Sequence, residues 1–352
     1  MTVRSEAPAL RVVAWEATRR CPLRCRHCRG GARDETPAGE LTTAEGLRLV
    51  EAVAAAGRPL LILTGGEPMV RPDFYDLLER ARELGLRTAV APCGGLLDEP
   101  AARRLREVGV ARISISLDGP SAETHDRFRG VPGAFDTAVR ALEHARAASL
   151  PFQVNTTVTR GNAGKLPAIL DLAVRLGAAA WDLFFLVPVG RGAALAAEAL
   201  DAVGMAQTLD WVADARARQP VPIQVTCAPQ FAARLAERGK SASIGARGCL
   251  AGRGFLFVSH RGRLQPCGFL ELPCGDLRQD AFDLARLWQT SAWFQKLRDP
   301  ALLAGACGAC AYRELCGGCR ARALATTGDP RGPEPACPMA REEGYNGDGQ
   351  DA

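Results

Sequence analysis

The sequence contains no apolar run that approaches the roughly 20 residues needed to cross a bilayer. Its N-terminal stretch, MTVRSEAPAL, lacks the apolar core of a secretory signal, so we expect a cytoplasmic protein without membrane partners. Charge is not clustered either: 44 basic and 39 acidic residues are spread along the 352-residue chain, which argues against a nucleic-acid partner. No repeat is present beyond a strand-helix unit.

Cysteine is abundant, and its 13 residues are unevenly placed. Without a secretion signal we expect a reducing compartment in which thiols stay free, so metal or cluster ligation explains grouped cysteines better than disulfides do. Three cysteines lie in CPLRCRHC at residues 21–28, and seven form a second group within residues 249–337. Cys93, Cys227 and Cys274 stand apart from both groups.

Short apolar stretches alternate with amphipathic helical stretches from residue 11 to about residue 187, which predicts a parallel sheet. The predicted strands are RVVAWEAT, PLLILTGG, LRTAVAP, ARISISLDG, PFQVNTTV and AAAWDLFFLVP. This order suits either a doubly wound sheet or a barrel. Ser114, Ser116 and Asp118 share one face of their strand, and QVNTTV alternates in the same way. Such polar faces favour an α/β fold with a partial barrel whose lumen holds a polar ligand.

A composition change divides the chain. The stretch AERGKSASIGARG, rich in Gly, Ser and charge, predicts a linker at residues 236–248 after a barrel domain at residues 1–235. Residues 249–340 are then expected to form a small cysteine-rich domain, and residues 341–352 a disordered tail.

The first cysteine group follows the first predicted strand, at the rim where parallel barrels build their active sites. A four-iron cluster normally takes four thiolates, so Cys21, Cys25 and Cys28 would leave one iron open to a substrate. A zinc site with His27 as the fourth ligand is the alternative, although His27 lies immediately beside Cys28 in a short loop.

The motif LTGGEP ends the second predicted strand. Gly65 and Gly66 allow the backbone to approach a ligand closely, and Pro68 fixes the turn. Glu67 offers a carboxylate to an amino group. A Gly-Gly turn after a strand is common, so the motif is informative only together with the cysteine loop.

Together, C-x3-C-x2-C and Gly-Gly-Glu-Pro resemble the radical S-adenosylmethionine (SAM) superfamily over residues 11–190. The resemblance implies a partial (β/α)6 barrel in which Cys21, Cys25 and Cys28 hold a [4Fe-4S] cluster whose open iron is chelated by SAM. It also implies that one electron cleaves SAM to a 5'-deoxyadenosyl radical, which removes a hydrogen atom from an unactivated carbon. The residues implied to contact SAM are Gly65, Gly66, Glu67, Pro68, Ser116, Asp118, Arg129, Asn155 and Leu186.

The second group reads Cys249-x12-Gly262-x4-Cys267, then Cys307-x2-Cys310-x5-Cys316-x2-Cys319, then seventeen residues and Cys337. This order resembles the SPASM extension of radical SAM enzymes, which carries auxiliary iron-sulfur clusters. The resemblance implies one cluster on Cys307, Cys310, Cys316 and Cys337, and a share of another for Cys249, Cys267 and Cys319. The spacing before Cys319 is one residue short, so one or two auxiliary [4Fe-4S] clusters remain possible. Paired C-x2-C also suits a zinc ribbon.

Further stretches, among them SISLDGPSAETHDRFRGVPGAF, FFLVPVGRG and TCAPQF, look like the tetrapyrrole branch of SPASM enzymes, which contains iron-coproporphyrin decarboxylases and denitrification-haem enzymes. The likeness implies hydrogen abstraction from a propionate of a tetrapyrrole and its oxidative decarboxylation, with ferredoxin or flavodoxin as the electron donor. Two alternatives stay open: a maturase of a ribosomally made peptide and a non-catalytic cluster carrier. Arg191 is a candidate propionate partner or a plain surface arginine, and Cys227 a substrate neighbour or a core residue.

Overall fold

The computed structural model describes residues 7–239 and 248–342. Its strands form one sheet in the order β10-β9-β8-β1-β2-β3-β4-β5-β6-β7. Strands β1 to β8 run parallel to one another, whereas β9 pairs antiparallel with both β8 and β10. The strands are β1 Val12–Thr18, β2 Leu60–Gly65, β3 Thr88–Val90, β4 Val110–Ser116, β5 Phe152–Val158, β6 Ala180–Phe185, β7 Ile223–Thr226, β8 Phe255–Val258, β9 Arg263–Gln265 and β10 Gly275–Asp276.

The strand order distinguishes a barrel from a doubly wound sheet. From β1 to β7 each strand lies beside the next one in the chain, so successive right-handed crossovers carry their helices to the same face. A doubly wound sheet would instead reverse its strand order at one point. In the described residues β7 and β10 end the sheet without pairing with each other, so the barrel is partial. The predicted α/β partial barrel is confirmed.

The helices cover the outer face of this sheet, and five short ones, α9 to α13, lie in the described part of the C-terminal region. No helix within the described ranges is long and apolar enough to span a membrane. The α-helices are α1 Thr43–Ala55, α2 Phe74–Glu83, α3 Glu99–Glu107, α4 Ala122–Arg129, α5 Ala134–Ala147, α6 Leu166–Leu176, α7 Ala202–Arg218, α8 Gln230–Glu237, α9 Leu284–Thr290, α10 Ala292–Arg298, α11 Gly305–Ala309, α12 Arg320–Thr327 and α13 Met339–Glu342.

Local sequence explains how individual helices begin and end. Thr42 and Glu45 form a capping box that satisfies the first backbone donors of α1. Helix α6 ends at Gly177, whose φ of 87° is the left-handed conformation that favours glycine. These signals are readable from the sequence because they depend on residues only a few positions apart.

The two faces of the sheet differ as the alternation predicts. Ile113 and Ile115 on β4 are buried under the helices, whereas Ser114 and Ser116 on the opposite face are partly exposed. Strand β5 alternates in the same way along FQVNTTV. The lumen is therefore lined by polar side chains near the carboxyl ends of the central strands, and a polar ligand placed there would meet hydrogen-bonding groups rather than an apolar core.

The sheet continues into the cysteine-rich part of the chain. Strand β8 pairs in parallel with β1, with Val12 opposite Phe255, and β9 follows after a turn at Gly262. The sequence did not predict β7 or β8, because both are four-residue strands without a full alternating pattern. The predicted linker at residues 236–248 and tail at residues 341–352 fall largely outside the described residues. The proposed domain boundaries stay a prediction.

Candidate active site

The three thiols of CPLRCRHC lie on the loop that leaves the carboxyl end of β1. Cys21 and Cys25 are buried, and Cys28 is half-buried. The backbone N-H groups of Leu23 and Ala32 donate to the sulfurs of Cys21 and Cys28, each at 3.4 Å. Hydrogen bonds to sulfur favour the thiolate and help to set the potential of a bound cluster. The loop therefore fits a thiolate-ligated centre.

The loop gives no support to a zinc site with His27. The His27 ring instead stacks on Phe128, with 4.7 Å between ring centroids. Burial lowers the pKa of His27 to about 4, and its Nδ1 has no hydrogen-bond partner among the described residues. His27 is therefore a neutral imidazole at pH 7 that is held against Phe128.

Arg129 and Asp118 form a buried ion pair beside the cysteine loop. The Arg129 Nε donates to the Asp118 carboxylate at 2.8 Å, and its Nη1 lies 3.6 Å from the sulfur of Cys25. The second oxygen of Asp118 accepts the backbone N-H of Thr157 at 2.7 Å. Burial alone would raise the pKa of Asp118, but the Arg129 guanidinium lowers it. Asp118 therefore holds Arg129 in place and has little surface for a ligand.

Gly65 and Gly66 bring the end of β2 against the start of the cysteine loop. A Cβ on Gly65 would lie 2.2 Å from the carbonyl oxygen of Thr18, and one on Gly66 would lie 2.2 Å from that of Arg20. The Gly66 N-H donates to the Thr18 oxygen at 2.7 Å. The sequence predicts that the backbone of Gly65 and Gly66 approaches a ligand closely. In the described residues these glycines instead lie against the protein's own backbone at Thr18 and Arg20.

Glu67 is fully buried and burial raises its pKa. Its carboxylate accepts the backbone N-H groups of Met69 at 3.0 Å and Cys93 at 2.7 Å, and Pro68 opens a short 3-10 turn behind it. Glu67 thus ties the loop after β2 to the loop after β3. The same connection brings the thiol of Cys93 into contact with that of Cys21.

The lumen carries a row of polar residues on three neighbouring strands. Ser116 on β4 lies opposite Asn155 on β5, and Asn155 lies opposite Asp182 on β6. Burial raises the pKa of Asp182 to about 7, and the Thr226 hydroxyl donates to its carboxyl group at 2.9 Å. Asp182 is not among the residues predicted from the sequence, although an isolated acid within the apolar run AAAWDLFFLVP is a readable signal. Leu186 follows β6 and is buried.

The Asp182→Asn variant is expected to lose the pH dependence that this carboxyl group imposes on stability. Between about pH 4 and pH 7 the folded protein keeps a proton that the unfolded chain has released, so stability falls as pH rises. At pH 8 the variant should exceed the parent by up to about 4 kcal/mol in unfolding free energy. Denaturant titrations at pH 5 and pH 8 measure the unfolding free energy of the parent and of the variant. Exposed Asp171→Asn is the control, and an unchanged slope in Asp182→Asn contradicts the assignment.

A buried charge cluster connects the cysteine loop to the C-terminal region. Glu16 is fully buried on β1, and its Oε1 accepts the Arg29 Nη2 at 3.0 Å. Its Oε2 accepts the Arg19 Nε at 2.9 Å and lies 3.0 Å from the Nδ1 of His260. Arg29 follows Cys28 directly and also donates to the carbonyl oxygen of Gly268 at 3.1 Å. Burial would raise the pKa of Glu16, but Arg29, His260 and Arg19 lower it to about 2.

Replacing Glu16 by Gln is expected to destabilise the protein by about 3 kcal/mol, because it leaves the partly buried Arg29 and Arg19 without their charged partner. The parent should lose this contribution as pH falls from about 4.5 towards 2, whereas the variant should not. Glu51→Gln removes an exposed partner of Arg80 and should cost less than about 1 kcal/mol. Urea unfolding compares the two variants; equal losses would contradict a special role for Glu16.

Arg191 is not a plain surface arginine: two of its nitrogens bind the cysteine loop, and its Nη2 is buried without a hydrogen-bond partner among the described residues, so its role as a propionate partner stays a prediction. Its Nε donates to the carbonyl oxygen of Cys25 at 2.9 Å and its Nη1 to that of Ala32 at 2.6 Å. Its own backbone N-H donates to the Cys28 carbonyl at 3.1 Å. Arg191 therefore fastens the loop after β6 onto the cysteine loop.

The second cysteine group is brought together in the C-terminal region. Backbone N-H groups donate to three of its sulfurs: Glu334 to Cys307 at 3.3 Å, Tyr312 to Cys310 at 3.3 Å and Gly318 to Cys316 at 3.4 Å. Cys316 and Cys337 both lie within electrostatic range of Cys307. Cys249, Cys267 and Cys319 are likewise close enough to influence one another electrostatically. Cys249 and Cys267 also pack against the apolar cluster that contains Cys319. How the seven thiols divide between clusters stays a prediction.

A parallel β/α barrel with a three-thiol loop at the carboxyl ends of its strands defines a class of barrel enzyme with a cysteine-bound iron-sulfur centre. The family model of the Radical SAM superfamily matches residues 15–173. The chain is also 44% identical over 347 residues to the AdoMet-dependent heme synthase of Oleidesulfovibrio alaskensis, across 96% of this chain and 89% of the relative. The chain belongs to the radical SAM superfamily.

Two further comparisons agree with this assignment. The PqqA peptide cyclase of Granulibacter bethesdensis is 31% identical, across 92% of this chain and 86% of its own length. The crystal structure of Streptococcus suis SuiB bound to S-adenosylmethionine matches with a TM-score of 0.73 at 16% identity, across 94% of this chain and 76% of SuiB. The match to SuiB shows that the two proteins share a fold. Membership implies a [4Fe-4S] cluster and SAM, and it makes the chain a radical enzyme rather than a non-catalytic cluster carrier.

Proposed function

We propose that this radical SAM enzyme removes a hydrogen atom from a propionate side chain of a tetrapyrrole and converts that propionate to a vinyl group. The observation that carries the proposal is the 44% identity to an AdoMet-dependent heme synthase over 96% of the chain. Haem carries vinyl groups where iron-coproporphyrin carries propionates, so this conversion is a chemically direct route to haem. The 31% identity to a peptide cyclase makes a peptide the second candidate substrate.

Cys21, Cys25 and Cys28 would hold the [4Fe-4S] cluster. The amide donors to two of these sulfurs and the Arg129 guanidinium beside the third support this role. When bound, the cluster supplies one electron to SAM and yields methionine and a 5'-deoxyadenosyl radical, the reagent for hydrogen abstraction. The residues proposed to surround SAM are Gly65, Gly66, Glu67, Pro68, Ser116, Asp118, Arg129, Asn155 and Leu186.

The described contacts suggest distinct tasks within that set. Arg129 has a donor fork beside Cys25 and would pair with the carboxylate of SAM, while Asp118 fixes its orientation. Ser116 and Asn155 line the lumen on neighbouring strands and would bind polar groups of the nucleoside. Glu67 and Pro68 would shape the backbone that receives the amino group. The surrounding barrel would keep water from the reacting carbon.

The second cysteine group is proposed to bind auxiliary clusters. Loss of carbon dioxide from a propionate that has lost a β-hydrogen atom releases one electron as the vinyl group forms, and a nearby iron-sulfur cluster is a suitable acceptor. A ferredoxin or flavodoxin would supply the electron that starts the reaction. The proposed ligands are Cys307, Cys310, Cys316 and Cys337 for one cluster, with Cys249, Cys267 and Cys319 contributing to the other.

The test is an anaerobic incubation of the reconstituted enzyme with SAM, dithionite and iron-coproporphyrin III, followed by mass spectrometry. We expect 5'-deoxyadenosine together with products that have lost carbon dioxide stepwise. Deoxyadenosine with unchanged porphyrin would contradict the tetrapyrrole assignment and direct the search to peptides. Absence of deoxyadenosine from cluster-loaded protein would contradict the catalytic account.

A further inference from the structure

Cys227 belongs to neither cysteine motif, yet the fold carries it to the second group. It directly follows β7, at the carboxyl end of the strand, and its φ of 63° is a left-handed conformation that few residues other than glycine adopt. Its side chain packs against the small apolar cluster that contains Cys319, although the two cysteines are 92 positions apart in the chain. Cys227 is therefore not an isolated core cysteine.

Four thiols lie in or against one small apolar cluster, whose buried members are Val187, Ala251, Leu270, Leu272, Cys319 and Ala321. Cys319 is one of its buried members, and Cys227, Cys249 and Cys267 pack against it. Cys267 also lies within electrostatic range of Cys227. Cys274 is also outside both cysteine motifs, but it is buried beside the Ser291 hydroxyl and does not belong to this cluster.

A buried ion pair fixes Cys227 and Cys319 relative to each other. The Arg322 Nη2 donates to the carbonyl oxygen of Cys227 at 2.8 Å, and its Nη1 donates to Glu334 at 3.0 Å. The other carboxylate oxygen of Glu334 accepts the backbone N-H of Cys319 at 2.8 Å. Because Arg322 and Glu334 are both buried, this connection is shielded from solvent and sets the spacing of the two cysteines.

We propose that Cys227 is the fourth thiolate ligand of the auxiliary cluster to which Cys249, Cys267 and Cys319 contribute. This inference rests on the proposed function, because it presupposes that an auxiliary cluster binds there. Three thiolates alone would leave one iron open, whereas four occupy every iron of a four-iron cluster. The auxiliary cluster then has no iron for the substrate to bind, and its part in the reaction is to take up an electron without contacting the tetrapyrrole.

The experiment uses the full chain with Cys21, Cys25 and Cys28 replaced by alanine, so that only auxiliary clusters remain. Cys227→Ala is compared with Cys274→Ala in this background after anaerobic reconstitution, by iron analysis and Mössbauer spectroscopy. We expect Cys227→Ala to give a cluster with one open iron site. Mild ferricyanide should then remove one electron and one ferrous ion from that cluster, about one iron in four, and an added small thiol should restore the parent spectrum.

The possible failures are distinct. A Cys227→Ala protein whose spectrum and response to ferricyanide match those of Cys274→Ala would overturn the inference. A background protein that binds no iron would instead overturn the auxiliary-cluster proposal on which the inference rests. Cys227→Ser in the unmodified chain provides the second variant if Cys227→Ala does not fold. It retains a weaker oxygen donor and should shift the auxiliary signal while leaving the signal of the cluster on residues 21–28 unchanged.

Discussion

The triple variant Cys21→Ala, Cys25→Ala, Cys28→Ala is expected to form no 5'-deoxyadenosine above the background, a loss of at least about 1,000-fold. Under the proposed function these are the only thiolates of the SAM-binding cluster, so no other residue can replace them. Iron should fall by about four atoms per chain, while the iron bound by the C-terminal cysteines persists. Deoxyadenosine formation, iron content and electron paramagnetic resonance of the reduced protein measure the three effects.

Cys274→Ala is the matched control, because Cys274 is also a buried thiol but lies outside both cysteine groups. It should retain its iron and its rate of SAM cleavage. If the triple variant lost all iron, the C-terminal cysteines would not form independent clusters. If it kept cleaving SAM, the assignment of residues 21–28 would be wrong.

The second large effect is expected from Arg129→Lys, which should weaken SAM binding by about 10- to 100-fold. Lys keeps the charge but loses the guanidinium fork, one arm of which pairs with Asp118 while another points towards Cys25. The loss of a charge-assisted hydrogen bond to the SAM carboxylate accounts for this magnitude. Equilibrium dialysis of SAM against the cluster-loaded variant measures it directly.

Arg127→Lys provides the control two residues away on the same helix. Its side chain is exposed and pairs with Glu123, so the same substitution should leave SAM affinity unchanged. Both variants should carry the same amount of iron as the parent. Equal SAM affinity in Arg129→Lys and the parent would show that Arg129 does not bind the cofactor and serves only to stabilise the loop.

The sequence predicts those features of the fold that depend on local patterns. The six predicted strands, the capping box at Thr42 and the polar face of β4 are encoded within a few residues, and the structure contains each of them. The choice between a barrel and a doubly wound sheet required the polar lumen face as an additional argument. The order of the strands then resolved it.

The contacts that sequence patterns miss join distant parts of the chain. Glu16 meets His260 across 244 residues, and Arg322 meets the carbonyl of Cys227 across 95. Nothing in the spacing of either pair marks the partner, because the members of each pair lie on elements that are distant in the chain and meet only in the folded structure. For the same reason the sequence leaves Cys227 as a lone cysteine, whereas the structure places it beside Cys319.

The most direct test of the central claim uses iron-coproporphyrin III deuterated at the β-carbons of its propionates. The reconstituted enzyme is given this substrate with SAM and a reductant under anaerobic conditions, and the 5'-deoxyadenosine is analysed by mass spectrometry. The account predicts deuterium in the deoxyadenosine, in step with the loss of carbon dioxide from the porphyrin. Deoxyadenosine without deuterium, formed while the porphyrin keeps all of its propionates, would contradict it.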